Sequence, residues 1–599
     1  MRRINTEKIT ELSGQKVKLA GWVNSRRDHG GVIFVDLRDR TGLAQIVFSP
    51  EISREVYSVG DKLRSEYVIE VVGKVRKREE GLINPKIKTG AVEVMAEEII
   101  VHSKAKTLPF EVEEIEGVDK SKNVKEELRL KYRYLDLRRK KMRDNLIFRH
   151  RAIKFIRDYL DNKNFLEIET PMLTKSTPEG ARDFLVPSRL HPETFYSLPQ
   201  SPQQYKQLLM VAGAEKYFQI ARCFRDEDQR GNRQLEFTQL DLEMSFINRD
   251  EILKLMEDLF TRLTRKLTDK KIIFEPWPRL DYQEVMLKYG TDKPDLRYGL
   301  EIKDISGIVK GCGFKVFSEA IKNKGVVRAI NATGAAKFSR SEIDRLTNLA
   351  KDYGAKGLAY IVIGSRIKNQ ESRIFNLQSP IIKFLGEELS SEIVKEMNGQ
   401  PGDIIFFGAD EEKIVREVLG NVRIELAKKL NLIDNNKLAF AFIIDFPLFS
   451  EELEEGHFAP EHHMFTMPKE SDLELLDTDP FKVKSWQYDM VLNGHEVAGG
   501  SIRIHRLEIQ RKIFKLIGFS EEKIKEFNHL LEAFEYGVPP HGGIALGLER
   551  MLMTLRDEID IREVMAFPKS GDGKDLMIGA PCKVNKKQLD ELFIKIKEL

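Results

Sequence analysis

The chain has 599 residues, of which 41% are hydrophobic and 32% charged, and its formal net charge is only +3. This length exceeds what one hydrophobic core supports, so several domains are expected, and any nucleic acid must meet local basic patches. The sequence contains no apolar run long enough for a signal peptide or a membrane span, and its three cysteines are too widely separated for a disulfide framework. We therefore expect a soluble cytoplasmic protein.

Residues 1–103 contain five short segments of strand composition, which predict a small barrel of the oligonucleotide-binding (OB) type. The segments are 17–23, 32–37, 43–48, 67–76 and 91–99. Arg26 and Arg27 precede the strand that carries Phe34, and Gln45 lies on the next strand. Basic groups around a strand aromatic favour a stacking platform for single-stranded bases. The same residues also suit an ordinary core phenylalanine with solvated arginines.

Two helical segments follow the barrel. After a predicted linker at 104–140, an amphipathic helix leads to the segment FLEIETP at 165–171. The loop PQSP at 199–202 predicts a second helix, with Ser201 as N-cap and proline as its first residue. Gln203 and Lys206 then fall on one face of that helix.

The segment from Tyr217 to Phe246 predicts two alternating strands joined by a charged loop. The first strand ends on Arg225. In the second, one face carries the polar residues and the other the apolar ones, which describes a sheet with its core on one side and a polar site on the other. The polar face holds Phe237, Gln239, Asp241 and Glu243, and the apolar face holds Leu240, Leu242 and Met244.

The segment 290–425 has its own pattern of strands and helices, and an apolar strand at 438–446 follows it. Farther on, Asn493-Gly494 is a strong two-residue hairpin signal. Pairing across this turn sets Val491 against Glu496, so Asp489 shares a face with Glu496. Two carboxylates so placed could hold Mg²⁺, although they could also be unrelated surface acids.

The segment GGIALGLER at 542–550 predicts a strand that runs into a helix, with Arg550 in the first helical turn. An arginine opposes the positive end of the helix dipole, so it is a poor helix start but suits a phosphate site.

These segments together resemble the class II aminoacyl-tRNA synthetases. FLEIETP resembles motif 1, the Phe-Arg-Asp-Glu loop after the first strand resembles motif 2, and Gly-Leu-Glu-Arg resembles motif 3. QSPQQYKQ at 200–207 and GGSIRIH at 499–505 are similar to signatures of the aspartyl-tRNA synthetases. The large insertion is similar to that of the bacterial members, although these usually have aspartate where this chain has Glu549.

The resemblance implies an α+β multidomain fold and a homodimer with motif 1 in its interface. The fold would comprise an OB-type anticodon-binding β-barrel, a catalytic domain built on an antiparallel sheet, and an inserted α/β domain. The expected boundaries are 1–103 for the barrel, 104–140 for a hinge, 141–289 and 426–559 for the catalytic domain, 290–425 for the insertion and 560–599 for a C-terminal extension.

The resemblance also implies activation of L-aspartate with ATP and Mg²⁺, and its transfer to tRNA. Arg225 and Arg550 are the expected catalytic residues. The implied aspartate-binding residues are Glu179, Gln203, Lys206, Arg225, Asp241, His462 and Arg503. The implied ATP-binding residues are Arg225, Asp226, Glu227, Gln234, Phe237, His463, Glu496, Gly547, Leu548, Glu549 and Arg550, and Asp489 and Glu496 are the implied metal ligands. His462 and His463 themselves lack ligand spacing, since adjacent histidines are expected to point apart.

The implied anticodon contacts of the barrel are Arg27, Phe34, Gln45, Asn84 and Glu93. Discriminating bacterial relatives tend to carry an aliphatic residue and a lysine at the positions of His29 and Gly81. Because glycine has no side chain to reject a wrong base, we expect charging of both tRNA(Asp) and tRNA(Asn). Gly81 could instead serve only a loop turn.

Two other functions stay open at this point. An asparaginyl-tRNA synthetase would lack the counterpart of Lys206 and the large insertion. A paralogue that only binds RNA would be expected to have lost Arg225, Glu496 or Arg550, and all three are present.

Overall fold

The computed structural model describes residues 1–112, 124–176, 180–229, 231–366 and 375–597. The chain divides into two compact units. The first contains residues 1–147 with 566–570 and 574–581, and the second contains residues 148–565 with 571–573 and 582–599. No helix in the described ranges is both long and apolar enough to cross a membrane.

The first unit is built on a closed five-stranded barrel with the strand order β1-β2-β3-β5-β4. Alternation creates its core, because Ile33, Val35 and Leu37 are fully buried on β2 while Phe34 and Asp36 between them are half-buried. The first strand continues beyond the predicted 17–23 because it pairs with β2 as far as His29 and Val32. The elements of this unit are β1 (Lys16–His29), β2 (Val32–Arg38), β3 (Leu43–Phe48), α1 (Arg54–Asp61), β4 (Val68–Lys77), β5 (Val92–Ser103), α2 (Glu126–Lys131) and α3 (Arg133–Asp136).

The long helix α4 (Lys140–Asp161) starts in the first unit, and its residues from Phe148 onward belong to the second. Helix α5 begins at Gln203, so Pro202 is its N-cap and the predicted start lies one residue too early. The remaining elements before the insertion are β6 (Leu166–Glu167), β7 (Leu185–Pro187), β8 (Phe195–Ser197), α5 (Gln203–Val211), β9 (Lys216–Phe224), β10 (Glu236–Ser245), α6 (Arg249–Leu267), β11 (Lys271–Ile272), β12 (Arg279–Asp281) and α7 (Tyr282–Tyr289).

The inserted segment forms a five-stranded sheet with the order β13-β14-β17-β15-β16. Separate apolar clusters pack on its two faces, so helices cover both sides. Its elements are β13 (Ile302–Asp304), α8 (Lys315–Lys322), β14 (Val326–Ala332), α9 (Arg340–Asp352), β15 (Ala359–Arg366), β16 (Phe375–Gln378), α10 (Ile382–Leu385), α11 (Glu387–Glu396), β17 (Ile404–Asp410) and α12 (Glu412–Lys429).

The chain after the insertion returns to the main sheet of the second unit. Its elements are β18 (Lys437–Leu438), β19 (Phe440–Ile444), β20 (Phe449–Glu454), β21 (His457–Pro460), α13 (Leu475–Thr478), β22 (Gln487–Leu492), β23 (His495–Ile502), α14 (Leu507–Leu516), α15 (Glu521–Lys525), α16 (Asn528–Glu535), β24 (His541–Gly547), α17 (Leu548–Leu555) and α18 (Lys586–Glu591).

The main sheet has eight strands in the order β12-β19-β22-β23-β24-β10-β9-β6, and most neighbours are antiparallel. Leu240 and Leu242 of β10 lie in its apolar core together with Phe440 and Phe442 of β19. The opposite face of β10 carries buried polar side chains. The predicted α+β multidomain fold, with an OB-type barrel and a mainly antiparallel main sheet, is therefore confirmed.

Candidate active site

Four fully buried charged side chains meet on the polar face of the main sheet. Lys206 of α5 places Nζ 2.7 Å from Asp241 Oδ1 and 3.2 Å from Glu243 Oε2. Arg503, just after β23, donates from Nε to Glu243 Oε1 at 2.9 Å. None of the four side chains is more than 2% exposed. Two cations and two carboxylates balance in charge, which permits burial that a lone ion would not tolerate.

The two carboxylates of this cluster have different electrostatic roles. Burial alone would raise the pKa of Glu243, but Arg503 and Lys206 outweigh burial and hold that pKa below its usual value. Burial raises the pKa of Asp241, and Lys206 only partly opposes it. Asp241 Oδ2 is buried and has no hydrogen-bond partner in the described part of the chain. Glu243 therefore contacts both cations, whereas Asp241 contacts Lys206 and keeps one acceptor oxygen without a partner among the described residues.

Glu243 belongs to the site although its residue pattern alone does not predict it. Alternation placed it on the polar face of β10 beside Asp241, but nothing in the pattern indicated that it contacts both Lys206 and Arg503. Those contacts require α5, β10 and β23 to converge, and they were not available from local periodicity.

His462 and His463 lie beside the charged cluster, and the expectation that they point apart was wrong. Their ring centroids are 4.4 Å apart, and His463 Nε2 lies 2.6 Å from Arg503 Nη1. Burial, followed by the charge of Arg503, lowers the pKa of His462 to about 3, and burial holds the pKa of His463 well below its usual value. Both rings are therefore neutral near pH 7. His463 therefore contacts Arg503, a predicted aspartate-binding residue. The resemblance had instead implied that His463 binds ATP.

Gln203 and Glu179 are also among the predicted aspartate-binding residues. Gln203 is buried and donates from Nε2 to Gln207 Oε1 at 3.2 Å. Gln207 in turn lies 3.2 Å from His541, so the first turns of α5 carry a buried polar chain. Glu179 lies outside the described residues.

The ends of β9, β10 and β24 bring the predicted nucleotide residues together. Arg225 places its guanidinium carbon 5.2 Å from the centre of the Phe237 ring, and its buried Nε has no hydrogen-bond partner within the described ranges. Gly547, which ends β24, pairs with Gln239 of β10. Arg550, in the first turn of α17, donates from Nη1 to the Glu496 carbonyl at 2.5 Å. A guanidinium group over an aromatic face, with a second guanidinium in the first turn of α17, suits a purine base and its phosphates.

The other predicted nucleotide residues, in the loop between β9 and β10, differ in exposure. Asp226 is exposed, and Glu227 Oε2 lies 3.2 Å from Arg233 Nη1. Gln234 is buried and donates from Nε2 to Gln229 at 2.8 Å.

Two predicted ATP-binding side chains are engaged elsewhere. Leu548 is fully buried in the core of the main sheet. The Glu549 carboxylate accepts from the Thr238 backbone N–H at 2.9 Å and from Arg149 at 2.8 Å. Only the backbone of these two residues is therefore left for a nucleotide, and their ATP contacts stay a prediction. Glu549 instead ties α17 to β10 and α4.

Asp489 and Glu496 lie together above Gly499. A Cβ atom built on Gly499 would lie 3.2 Å from Asp489 Oδ1, 3.8 Å from Glu496 Oε1 and 3.2 Å from His462 Cε1. The register opposes Val491 to Glu496 as predicted, and a bulge then sets Asp489 opposite Gly499. Burial, followed by the charge of Glu496, raises the pKa of Asp489 well above its usual value. A buried carboxylate and a half-buried one that repel each other in this way fit a divalent cation.

The outer face of the barrel carries a polar network around Phe34. Arg27 Nη2 donates to Asp36 Oδ2 at 2.9 Å, and Gln45 Nε2 donates to Glu93 Oε2 at 3.0 Å. Arg27 and Phe34 are paired across β1 and β2, so the ring lies within this network. Because Phe34 is half-buried and outside the barrel core, the alternative that it is a core residue was wrong.

The three remaining barrel residues lie at the end of β1 and in the loop after β4. The His29 ring meets the Phe34 ring edge-on, with the centroids 6.1 Å apart. Asn84 Oδ1 accepts from the Lys86 backbone N–H at 3.0 Å, which fixes a turn. Gly81 has no positive φ, and no atom of the described residues lies within 4 Å of a Cβ built on it. The backbone at Gly81 would therefore accept a side chain.

Sequence comparisons identify the family to which this geometry belongs. Residues 125–571 match the family described as tRNA synthetases class II (D, K and N), and residues 17–101 match the OB-fold nucleic acid binding domain. The chain belongs to the class II tRNA synthetases of this D, K and N group. Motifs 1, 2 and 3 of this synthetase lie on or beside β6, β9–β10 and β24–α17.

Relatives of this synthetase match it over nearly its whole length. The Aspartate--tRNA(Asp/Asn) ligase of Syntrophomonas wolfei is 52% identical over 594 residues, which cover 99% of each chain. That of Rubrobacter xylanophilus is 52% identical over 584 residues, which cover 97% of this chain and 95% of the relative.

Solved structures share the fold at much lower identity. The asparaginyl-tRNA synthetase of Pyrococcus horikoshii, complexed with asparaginyl-adenylate, has a TM-score of 0.58 at 18% identity and covers 95% of this chain and 98% of its own. The aspartyl-tRNA synthetase of Entamoeba histolytica has a TM-score of 0.56 at 20% identity, with coverages of 95% and 91%.

Proposed function

We propose that this chain is an aspartate–tRNA ligase, which converts L-aspartate and ATP to aspartyl-adenylate and pyrophosphate and then transfers aspartate to the 3′ end of tRNA(Asp) and of tRNA(Asn). The observation that carries the proposal is the buried cationic pair of Lys206 and Arg503, which Glu243 holds in place. The names of the relatives that match nearly the whole chain support the same activity.

The cluster selects its substrate by charge. Lys206 and Arg503 would bind the side-chain carboxylate of aspartate, and Asp241 Oδ2 would accept from its ammonium group. Asparagine offers a neutral amide where aspartate offers a carboxylate, so its contacts with the two desolvated cations are weaker. We therefore propose Lys206, Asp241 and Arg503, with neutral His462 and His463 beside them, as the amino-acid pocket.

Activation requires the aspartate α-carboxylate to attack the α-phosphorus of ATP and expel pyrophosphate. Arg225 would bridge carboxylate and α-phosphate through its fork of N–H donors, and Phe237 and Arg550 would hold the adenine between them. Mg²⁺, held by Asp489 and Glu496, would neutralise charge on the phosphates. The chain itself contributes position and charge rather than a covalent intermediate.

The test is amino-acid-dependent ATP–pyrophosphate exchange with aspartate and asparagine measured side by side. We expect exchange with aspartate and at least a hundredfold less with asparagine, since a binding site with unpaired buried charges discriminates strongly. Equal or faster exchange with asparagine would replace the proposal by asparaginyl-tRNA synthetase. Absence of exchange with both amino acids would leave only the hypothesis of a paralogue that binds RNA without catalysis.

Phe34→Ala should weaken tRNA charging and leave aspartate–ATP exchange unchanged. Stacking of one base contributes roughly 1–3 kcal/mol, and Phe34 belongs to the barrel unit rather than to the unit that holds the activation site. Kinetics of charging and of exchange measure the two effects, and Phe34→Tyr is the matched control because it keeps a ring. An equal loss of exchange without tRNA would show that Phe34 is needed for the fold instead.

The lack of a side chain at Gly81, in the proposed anticodon-binding barrel, supports charging of tRNA(Asn) as well as tRNA(Asp). The two anticodons differ at their third letter, and Gly81 presents no side chain there although its backbone would allow one. We expect labelled aspartate to be placed on both purified tRNAs, with a preference below roughly a hundredfold, about 2.7 kcal/mol. The paired change His29→Leu with Gly81→Lys should raise that preference. A larger preference in the unchanged enzyme would mean that it discriminates after all.

We also propose that the enzyme acts as a homodimer in the cytoplasm, where translation uses its product. Large apolar side chains are exposed on the sheet-edge strand β6 and on the hairpin β7–β8, with Leu166 55%, Leu185 60% and Phe195 50% exposed. Exposed apolar side chains of this kind favour burial against another subunit. Sedimentation of the purified chain tests the dimer.

A further inference from the structure

The first residues of the inserted segment pack on the hairpin that carries the two proposed metal ligands. A Cβ atom built on Gly494, in the turn between β22 and β23, would lie 3.3 Å from Asp295 Cβ. Asp295 is buried and accepts from Arg297 Nε and Nη2 at 3.0 and 2.7 Å. The loop around Asp295 is therefore anchored to the turn that joins β22, which carries Asp489, to β23, which carries Glu496.

Helix α12 of the insertion fixes the same loop from behind. Arg423 is 1% exposed, and its Nη2 donates to the carbonyls of Asp295, Tyr298 and Gly299 at 2.8, 3.0 and 2.9 Å. Its guanidinium carbon lies 4.8 Å from the centre of the Tyr289 ring and 4.4 Å from that of Tyr298. A buried guanidinium with three backbone acceptors holds a loop in one conformation.

Lys293 is presented by this loop. Its Nζ donates to both carboxylate oxygens of Asp292, at 2.8 and 3.0 Å, and its side chain is 45% exposed. Burial would lower the pKa of Lys293, but the charge of Asp292, followed by those of Glu496 and Asp489, raises it. The charges of both proposed metal ligands therefore act on this ammonium group, and its side chain is only partly buried.

We infer that Lys293 is a further substrate-binding residue of the activation reaction, whose ammonium group contacts the β- and γ-phosphates of ATP and then the departing pyrophosphate. The inference rests on the proposed function. Asp489 and Glu496 mark the side of the site where metal and triphosphate meet, and a lysine serves phosphate as a mobile point charge. Arg225 follows β9 and Arg550 lies in the first turn of α17, and Lys293 would add a third positive charge from the loop before β13. Arg423 acts as a positioning residue, since it fixes the loop without reaching the site.

The decisive experiment compares the binding of Mg·ATP and of AMP to Lys293→Ala by calorimetry, without any amino acid. We expect Mg·ATP affinity to fall roughly 10- to 100-fold and AMP affinity to stay unchanged, because only ATP has the phosphates that Lys293 contacts. Lys293→Arg should recover most of the loss. Lys288→Ala is the matched control: Lys288 is 43% exposed and also pairs with one carboxylate, Glu284, but on the surface of α7.

Equal losses for ATP and AMP, or no loss for either, would overturn the inference and assign Lys293 a structural role beside Asp292. In the exchange reaction, the KM for pyrophosphate should rise in Lys293→Ala while the KM for aspartate stays within about twofold; a rise in the KM for aspartate alone would also contradict it. A failure of the proposed function is distinguishable, because the unchanged enzyme would then show no aspartate-dependent exchange while the ATP and AMP titrations still report on Lys293.

Discussion

Arg503→Leu should abolish aspartate activation while leaving ATP binding nearly unchanged. The side chain is 1% exposed, and its guanidinium pairs with Glu243 on one side and with His463 on the other. Loss of one partner of a buried charge-assisted contact costs about 2–5 kcal/mol. The rate of aspartate-dependent exchange should therefore fall on the order of a hundredfold or more. Exchange kinetics and calorimetric titration with ATP measure the two properties separately.

Two control variants separate recognition from folding. Arg222→Leu removes an arginine from β9 that pairs with Glu236 at the surface, where both side chains are 40% exposed, so little change in exchange is expected. Arg503→Lys keeps the charge but loses the fork geometry, and should lie between the unchanged enzyme and the leucine variant. If Arg503→Leu weakened the binding of ATP and the binding of aspartate equally, Arg503 would not belong to the amino-acid pocket.

Much of the architecture could be predicted because strand periodicity is a local property. The period of two along β10 separated Leu240 and Leu242 from Asp241 and Glu243, and the structure buries the first pair in the core and the second on the polar face. The turn Asn493-Gly494 likewise set the register of β22 and β23, since a two-residue turn leaves few alternatives.

The contacts that define the site could not be predicted in the same way, because they join segments far apart in the chain. Glu243 and Arg503 are 260 residues apart, and Glu549 and Arg149 are 400 apart. Periodicity gives the face on which a side chain lies but not the group it meets across the fold. The bulge before Val491 shows a second limit, since one extra residue on β23 moved Asp489 opposite Gly499.

Glu243→Gln should destabilise the fold as well as the site. Glu243 is fully buried and is the only carboxylate that contacts both Lys206 and Arg503 within the described residues. Neutralising it leaves two buried cations opposed by Asp241 alone, and an uncompensated buried charge typically costs about 3–5 kcal/mol. Because the pKa of Glu243 is held below its usual value, its contribution is fully present above the unfolded pKa of about 4.3 and is lost as the pH falls below it.

Denaturant unfolding at pH 7 measures this loss, and Glu236→Gln is the matched control. Glu236 lies on the same strand and pairs with Arg222, but both side chains are 40% exposed, so its replacement should cost no more than about 1 kcal/mol. Aspartate-dependent exchange should fall with Glu243→Gln, because Lys206 and Arg503 lose the group that sets their positions. A double-mutant cycle with Arg503→Leu should show strong coupling, since the two changes remove one shared contact. Additive effects, or a loss of stability no larger than that of Glu236→Gln, would show that Glu243 does not hold the cationic pair.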